Sequence, residues 1–400
     1  MQFSNHRSIT RRALLTGAGA TVASLAKPAR SLASNAPTAR VALDRCRTYG
    51  PEMLPILSKL FDQIGGVGQV VKGKTVAIKL NLNGGPTSRL GHLPLGVSHW
   101  PHPRLICAMM HLFDKAGAHR IRLLESAWAT RADPLEEHLL EANWDPRDFL
   151  SAARRVEFEN TNFTGHGRKY SRFKVPNGGL LFPAYDLNQS YEDCDVFVSI
   201  AKLKDHSTTG ITLCMKNLFG MTPLTIYGTG AGADEPSRLP SGSRLPILHY
   251  GQRQPPKSAL PEVDPKSSRD DGYRIPRAIA DLVAARPVHL SILDGVHSMA
   301  GGQNPGVGID PVSPGVLLVG TNVISTAAIG MQTMNYDPMA DRGQTPFETC
   351  DNKLRLAEDL GAGTRDPSKI EVAGPPVREV MFDFKALRIE REARRKARKG

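Results

Sequence analysis

The stretch from Asp195 to Gly220, DVFVSIAKLKDHSTTGITLCMKNLFG, decides the fold of this chain. Its apolar run, 196–201, is typical of a buried strand in a parallel sheet, because such strands are covered on both faces. Polar residues follow this run and the apolar segment after it: Lys202, Lys204, His206, Lys216 and Asn217. Ligands of open α/β sheets bind beyond the carboxyl ends of the strands. The stretch therefore predicts an anion site at a strand end. The alternative is that these are exposed loop charges and a loop-capping histidine.

Strand-like and helix-like segments alternate along the rest of the chain. The predicted strands are 41–43, 75–80, 121–125, 196–200, 288–294, 316–319 and 370–373. The predicted helices are 52–64, 103–116, 275–285, 323–334 and 353–360. Such alternation predicts an α/β fold with a mostly parallel sheet flanked by helices. The length of the chain also allows two α/β subdomains. A polar, Pro-rich segment, 234–274, interrupts the pattern and predicts either a mobile surface insertion or an active-site lid.

Three predicted strand ends carry polar residues that a parallel sheet would place on one edge. Lys79, Asn81 and Asn83 lie at or just after the end of the strand 75–80, and Lys202, Lys204 and His206 follow the strand 196–200. Asp294 and His297 lie at the end of the strand 288–294. Asp294 leads into a Gly-rich run, 301–308, in which Gly302, Gly306 and Gly308 would let the backbone approach an anion. A simple tight turn is the alternative for that run.

The residue types at these ends suggest separate roles. Histidine titrates near neutral pH and suits acid–base chemistry, and lysine binds carboxylate, phosphate or a developing oxyanion. The predicted catalytic residues are His206, His249, Lys204 and Asp294. The predicted cofactor- or ligand-binding residues are Lys79, Asn81, Lys202, Lys216, Asn217, Gly302, Gly306 and Gly308. No metal site is assigned, because a His206–His249–Asp294 set has no local ligand spacing.

The central motif resembles the signature of the DUF362 family of uncharacterised proteins. The matching positions are Lys202-Leu203-Lys204, His206, Thr209-Gly210, Thr212, Lys216-Asn217 and Gly220. The resemblance extends over roughly residues 39–375. It also places a histidine near His249, inside the 234–274 segment. It implies an α/β fold, and it implies no particular reaction.

The charge of +12 is concentrated at the two ends of the chain. Residues 1–36 hold five basic and no acidic residues, and 385–400 hold eight basic and two acidic, which leaves about +1 for the body. A nucleic-acid-binding domain would carry its basic residues on a face of the domain, so no nucleic-acid partner is expected. The basic tail, 384–400, predicts either a solvated helix or peripheral contact with an anionic membrane surface.

The amino-terminal segment, 1–36, has the form of a twin-arginine signal peptide, with Arg11-Arg12 before a mild apolar stretch. It predicts export to the periplasm by the twin-arginine translocase, which carries folded proteins. The domain would then comprise residues 37–383. The five cysteines lack the close spacing of an iron–sulfur ligand set, so the cofactor stays unassigned.

We therefore expect an exported enzyme that binds an anionic small molecule or cofactor at the strand ends. Redox chemistry is one candidate for its reaction. The alternative is a non-catalytic periplasmic binding or accessory protein that holds a metal, cofactor or anionic ligand.

Overall fold

The structure is a computed structural model that describes residues 39–126 and 132–397. The predicted signal peptide, 1–36, lies outside the described residues, as do the last three residues of the basic tail. Among the described residues, no helix is both long and apolar enough to cross a lipid bilayer.

One eight-stranded sheet forms the centre of the molecule, in the order β14-β1-β13-β10-β7-β2-β3-β4. Its strands are β1 (Val41–Arg45), β2 (Thr75–Lys79), β3 (Arg120–Glu125), β4 (Val156–Asn160), β7 (Val196–Lys202), β10 (Leu290–Gly295), β13 (Val316–Gly320) and β14 (Val372–Ala373). Only β13 is antiparallel to its neighbours, β1 and β10. The other seven strands run in one direction, and their carboxyl ends share one edge.

Three two-stranded sheets accompany this main sheet: β5 (Tyr170–Lys174) with β6 (Ala184–Asn188), β8 (Asp205–His206) with β9 (Gly210–Ile211), and β11 (Ser298–Ala300) with β12 (Asp310–Val312). The β11–β12 pair lies between β10 and β13 in the chain. A parallel return usually requires a helical crossover. No helix lies in this connection, which accounts for the antiparallel direction of β13.

Helices cover both faces of the sheet. They are α1 (Met53–Gln63), α2 (Val67–Val71), α3 (Pro103–Lys115), α4 (Leu135–Glu141), α5 (Pro146–Ala152), α6 (Leu213–Asn217), α7 (Leu224–Tyr227), α8 (Asp271–Ala285), α9 (Val323–Thr333), α10 (Lys353–Asp359), α11 (Val377–Val380) and α12 (Phe384–Ala397). Alternate residues of a strand enter opposite cores: Val76 and Ile78 pack with α1 and α3, whereas Ala77 faces the core formed with α8 and α9. This period of two is what a strand buried on both faces requires.

The predicted α/β class, with a mostly parallel sheet flanked by helices, is confirmed. The predicted strands and helices lie within a few residues of the observed ones, and α8 begins earlier, at Asp271. Strand β4 and the β5–β6 hairpin were not predicted, since Val156–Asn160 alternates with charged residues and gives a weak apolar signal.

The interrupting segment, 234–274, contains a buried ion pair that anchors it to the start of helix α8. Arg274 of α8 bonds Glu262 with an N–O distance of 2.8 Å, and both side chains are fully buried. A single π-helical turn, Leu245–His249, lies within the segment.

The carboxyl-terminal helix α12 also packs on the domain. Phe384 is fully buried, and Arg388 pairs with Glu348 at 2.6 Å while lying 3.9 Å from Asp205. Asp205 immediately precedes His206, so the basic tail contacts the strand-end region.

Candidate functional site at the carboxyl edge of the sheet

The strand ends that the sequence singled out are neighbours in the sheet. Lys202 at the end of β7 pairs in register with Asp294 of β10, and Lys79 of β2 pairs with Ser199 of β7. However, the polar side chains separate into two groups. One group is a closed ion pair, and the other borders an open cavity.

The closed group centres on Lys202 and Asp294, both fully buried. Lys202 Nζ donates to Asp294 Oδ2 at 2.9 Å, to the Gly96 carbonyl at 2.8 Å and to the Tyr49 hydroxyl at 3.1 Å. An ammonium group has three donors, so all are used. Burial lowers the pKa of Lys202, and Asp294 opposes that shift.

The Asp294 carboxylate is likewise hydrogen-bonded within the protein. It accepts from the Tyr49 hydroxyl at 2.8 Å and from the His102 backbone N–H at 2.9 Å, besides Lys202. Neither Lys202 nor Asp294 borders the cavity. The roles predicted for them, ligand binding for Lys202 and catalysis for Asp294, are therefore not supported, because each satisfies the other inside the fold.

Lys204 lies between the two groups. It is fully buried, and its Nζ donates to Asn83 Oδ1 at 2.8 Å and to the Gln303 carbonyl at 2.6 Å. Burial, and then Lys216 and Lys202, hold its pKa well below the usual range. Lys204 does not itself border the cavity, but it holds two residues that do.

The Gly-rich run does not form the predicted anion cradle. Gly302 is buried, Gly306 and Gly308 are exposed, and none of the three borders the cavity. The run presents a carbonyl, that of Gln303, to the Lys204 ammonium. A carbonyl repels anions, which is the opposite polarity from an N–H cradle.

The cavity has a volume of about 350 Å³. It lies between the end of β2, helix α6, the segment around the π-helical turn and the start of α8. Its polar lining consists of Lys79, Asn81, Asn83, Glu125, Ser126, His206, Thr208, Thr212, Lys216, Asn217, Ser243, Arg244, His249, Tyr250, Asp271, Gln303 and Asn304. Apolar lining comes from Leu82, Phe219, Leu224 and Leu245.

Lys79 forms one wall of the cavity with Glu125. The two form a short buried ion pair, and the Glu125 carboxylate also accepts from the backbone N–H groups of Leu82 at 2.8 Å and Ser126 at 2.9 Å. Asn217 Nδ2 donates to the Lys79 carbonyl at 3.2 Å and to Ser199 Oγ at 3.0 Å. Asn81 Oδ1 accepts from the Lys202 backbone N–H at 3.3 Å. These residues hold the strand ends together, and most of their polar groups are hydrogen-bonded to other protein groups.

Lys216 has a different environment. It lies in the last turn of α6, and no described residue forms a hydrogen bond or ion pair with its Nζ, which sits 4.7 Å from the centre of the Phe219 ring. Burial, reinforced by Arg244 and Lys79 and opposed by Glu125, lowers the pKa of Lys216 to about 7. Its amine is therefore partly neutral at neutral pH.

Arg244 is the second cation that faces the cavity without a carboxylate partner among the described residues. Its guanidinium donates through Nε to Thr222 Oγ1 at 2.8 Å and through Nη2 to Ser126 Oγ at 2.7 Å. Burial lowers its pKa to about 10, so it stays charged at neutral pH. These neutral partners fix its orientation and leave its charge available to a ligand.

Two histidines, His206 and His249, border the same cavity. The Thr208 backbone N–H donates to His206 Nδ1 at 3.1 Å, which places the proton of the neutral ring on Nε2. Burial and nearby cations, Lys216 first among them, hold the pKa of His206 well below its usual range. Burial and then Lys216 lower the pKa of His249 to about 3. Its ring packs edge-on against Phe219, with centroids 5.6 Å apart.

A family model described as a domain of unknown function (DUF362) matches residues 76–332, well over half of the chain. The chain belongs to the DUF362 family. The match spans the ends of β2, β3, β7 and β10 and every charged residue that borders the cavity.

The comparisons also relate this DUF362 chain to one curated protein, a thylakoid-associated protein of Synechocystis sp. The identity is 25% over 185 residues, which cover 46% of this chain and 50% of the relative. The chain thus spans about half the length of the curated relative that it matches.

Two solved structures are more distantly similar. The DUF362 chain matches a protein from Thermotoga maritima at 14% identity and a TM-score of 0.34, over 66% of this chain and 55% of the other. It matches the lactate racemase apoprotein from Thermoanaerobacterium thermosaccharolyticum at 10% identity and a TM-score of 0.35, over 69% and 54% respectively.

Sequence reasoning missed several residues of this DUF362 cavity, among them Glu125, Ser126 and Arg244. Glu125 ends a strand that was correctly predicted, so the rule that located Lys79 and Lys202 would have found it and Ser126 after it. Arg244 has no such signal, because it belongs to an irregular segment with several other basic residues. Within residues 39–126 and 132–397, no cluster of three or more His, Cys, Asp or Glu side chains is arranged to hold a metal ion.

Proposed function

We propose that this DUF362 protein is an enzyme that binds a small anionic molecule in the cavity and moves protons on it. Arg244 would hold the anionic group, assisted by the protonated fraction of Lys216. His206 would donate a hydrogen bond from Nε2 to an oxygen of the bound molecule, which eases removal of a proton from the neighbouring carbon. His249, Asn83 and Gln303 would complete the surroundings of the bound molecule.

The observation that carries this proposal is a local excess of positive charge. Lys216 and Arg244 both border the cavity without a carboxylate partner among the described residues, whereas Lys79 and Glu125 neutralise each other. The remaining acidic group of the lining is Asp271, in the first turn of α8, and burial raises its pKa. Both cations are half-buried. Partial burial of a charge without a counter-charge costs free energy in the empty protein, and an anionic ligand would remove that cost.

The size and lining of the cavity agree with a small-molecule site. Such sites enclose about 300–1,000 Å³, have a mainly apolar lining and contain a few convergent polar groups. Here Phe219 and Leu224 supply apolar surface, and Arg244, Lys216 and His206 converge on the same space.

Calorimetric titration with inorganic phosphate, pyruvate and 2-oxoglutarate tests the binding step. We expect at least one of these anions to bind the wild-type protein, and Arg244→Gln to weaken that binding about 10- to 100-fold, since a hydrogen bond to a charged group contributes about 1.5–3 kcal/mol. Arg104→Gln is the matched control, because Arg104 is exposed and lies outside the cavity. Equal binding by wild type and Arg244→Gln would place the anion site elsewhere.

Proton exchange distinguishes the enzyme from a non-catalytic binding protein. In D2O, the wild-type protein is expected to accelerate exchange of the protons next to the carbonyl of the 2-oxo acid that binds. His206→Leu is expected to lower the rate by about 100-fold, as for loss of one hydrogen-bond donor to a developing oxyanion. Binding without any accelerated exchange would favour the binding or accessory role. Export to the periplasm is part of this proposal as a prediction from residues 1–36.

A further inference from the structure

We propose that Lys216 is a nucleophilic lysine, whose Nζ adds to the carbonyl carbon of a small 2-oxo acid held by Arg244 and forms a Schiff base. This inference rests on the proposed function, because it assumes that the anion binds beside Arg244. It goes further by naming the reacting atom of the protein and the chemical class of the ligand.

The first argument comes from the unoccupied Nζ of Lys216. A lysine acts as a nucleophile only when its lone pair is free, which requires a neutral amine without a competing partner. The ammonium of Lys202 is occupied by Asp294, Tyr49 and Gly96, and that of Lys79 by Glu125 and the Leu80 carbonyl. Lys216 has no such partner among the described residues, and it borders the cavity.

The second argument is electrostatic. The charged and titratable groups around Lys216 are Arg244 and Lys79, which disfavour its protonation, and Glu125, which favours it. Lys204, His206, His249 and Lys353 each also have a pKa lowered by Lys216. Because most of these groups are cationic or neutral, the environment favours the free amine.

A buried lysine elsewhere in the fold shows that a low pKa is not enough. Burial also lowers the pKa of Lys353 to about 7. Its Nζ, however, donates to the carbonyls of Thr209 at 2.8 Å and Ile211 at 3.0 Å, and it does not border the cavity. Lys353 is therefore an internal control for Lys216.

The covalent step balances without an oxidant or reductant. The Lys216 lone pair forms a C–N bond to the carbonyl carbon, and the C=O π electrons move to oxygen, which accepts a hydrogen bond from His206 Nε2–H. One proton passes through water from the new C–N nitrogen to this oxygen and gives the neutral carbinolamine. The hydroxyl group then takes one proton from solvent and leaves as water, while the nitrogen lone pair forms a protonated C=N bond. One amine, one carbonyl compound and one proton thus give one iminium ion and one water molecule.

The lining residues fit the requirements of this step. Arg244 would bind the carboxylate next to the carbonyl group, and the Nε2–H of His206 is available to the carbonyl oxygen. The iminium would then withdraw electrons from the neighbouring carbon, which eases removal of its proton. The proton movement proposed above and the Schiff base are parts of one reaction.

Reductive trapping tests the inference. Pyruvate and 2-oxoglutarate would be incubated with the full-length protein and sodium borohydride, and the labelled peptide identified by mass spectrometry. We expect one adduct per chain, on Lys216 and not on Lys353, more of it at pH 8 than at pH 5.5, and less with propanal, which lacks the carboxylate. Lys216→Arg keeps a positive charge and should abolish the adduct.

The outcomes separate this inference from the proposed function. If a 2-oxo acid binds the wild-type protein and depends on Arg244, but no adduct forms on Lys216, the Schiff base is wrong and the anion site remains. If no anion binds at all, the proposed function fails. An adduct spread equally over surface lysines, or formed equally on Lys353, also overturns the assignment. Because adduct mapping uses the wild-type protein, a misfolded variant does not affect the result.

Discussion

Lys202 and Lys216 lie only fourteen positions apart in the chain, and both lie at the carboxyl edge of the sheet, yet their environments are opposite. Lys202 is enclosed by Asp294, Tyr49 and Gly96, which use all of its donors. Lys216 faces a cavity beside Arg244, and its Nζ lies 4.7 Å from the centre of the Phe219 ring. Lys202 thus joins two strands through an ion pair, whereas the positive charge of Lys216 has no counter-charge among the described residues. The difference teaches that charge at a strand end indicates function only where the fold leaves that charge unpaired.

The largest expected effect comes from breaking the closed pair. Asp294→Asn leaves the buried Lys202 ammonium without its counter-charge, and we expect a loss of about 3–5 kcal/mol in the free energy of unfolding. Urea denaturation followed by circular dichroism measures this loss. Lys216→Met, measured in the same way, should leave stability unchanged or raise it, because it removes a half-buried charge that has no carboxylate partner among the described residues.

The double variant Lys202→Met/Asp294→Leu sharpens this test. Replacing a whole buried pair with apolar residues is often neutral, so much of the stability lost in Asp294→Asn should return. A cost for Asp294→Asn as small as that of a surface ion pair, under about 1 kcal/mol, would contradict the contrast between the two lysines.

The second prediction concerns pH and Lys216. Its folded pKa of about 7 lies below the usual lysine value of 10.5, so the unfolded chain binds more protons between these two pH values. Stability therefore increases with pH over this window, by at most about 1.4 kcal/mol per pH unit from this group. Relative to wild type, Lys216→Met should be most stabilised below pH 7, and the difference should narrow as pH rises towards 10.

Urea denaturation of both proteins at pH 6, 8 and 9.5 provides the measurement. Lys353 also contributes to the difference, in the same direction, because Lys216→Met removes one of the charges that lower the pKa of Lys353. A difference that stays constant across the three pH values would mean that Lys216 is an ordinary solvated lysine.

The smallest expected effect concerns Lys204. It donates hydrogen bonds to an amide and a carbonyl oxygen instead of a carboxylate, and it does not border the cavity. Lys204→Met removes the donor to Asn83 Oδ1 and the Gln303 carbonyl, and we expect a cost of about 1 kcal/mol. Amide hydrogen exchange should become faster in residues 301–309, whose attachment depends on this contact, and stay unchanged in β7. Faster exchange throughout the sheet would show that Lys204 supports the core instead of the loop.

Much of the fold was predictable because its signals are local. The apolar run of β7, the Pro103 start of α3 and the alternation of elements each depend on neighbouring residues only. The direction of β13 was harder, because it depends on the β11–β12 hairpin replacing a helical crossover. Strand β4 was missed because its alternating charged residues resemble a surface segment.

The candidate site was predictable in part. Of the predicted site residues, the structure places Lys79, Asn81, His206, Lys216, Asn217 and His249 in the lining of one cavity, since strand ends share an edge and the family resemblance places His249 near it. Lys202, Lys204, Asp294 and the three glycines fall outside the cavity lining. Arg244 could not have been found from periodicity, because it lies in an irregular segment and is held by Thr222 and Ser126, the latter 118 positions away.

The sequence by itself determined that this chain forms an α/β sheet with lysines collected at one edge, because strand period and strand direction are encoded over short distances. Only the tertiary structure decided which lysine is neutralised. Lys202 meets a carboxylate 92 positions away, whereas Lys216 meets Arg244 and the Phe219 ring. Pairing of buried charges depends on contacts between segments that are distant in the chain, and local sequence patterns do not predict those contacts.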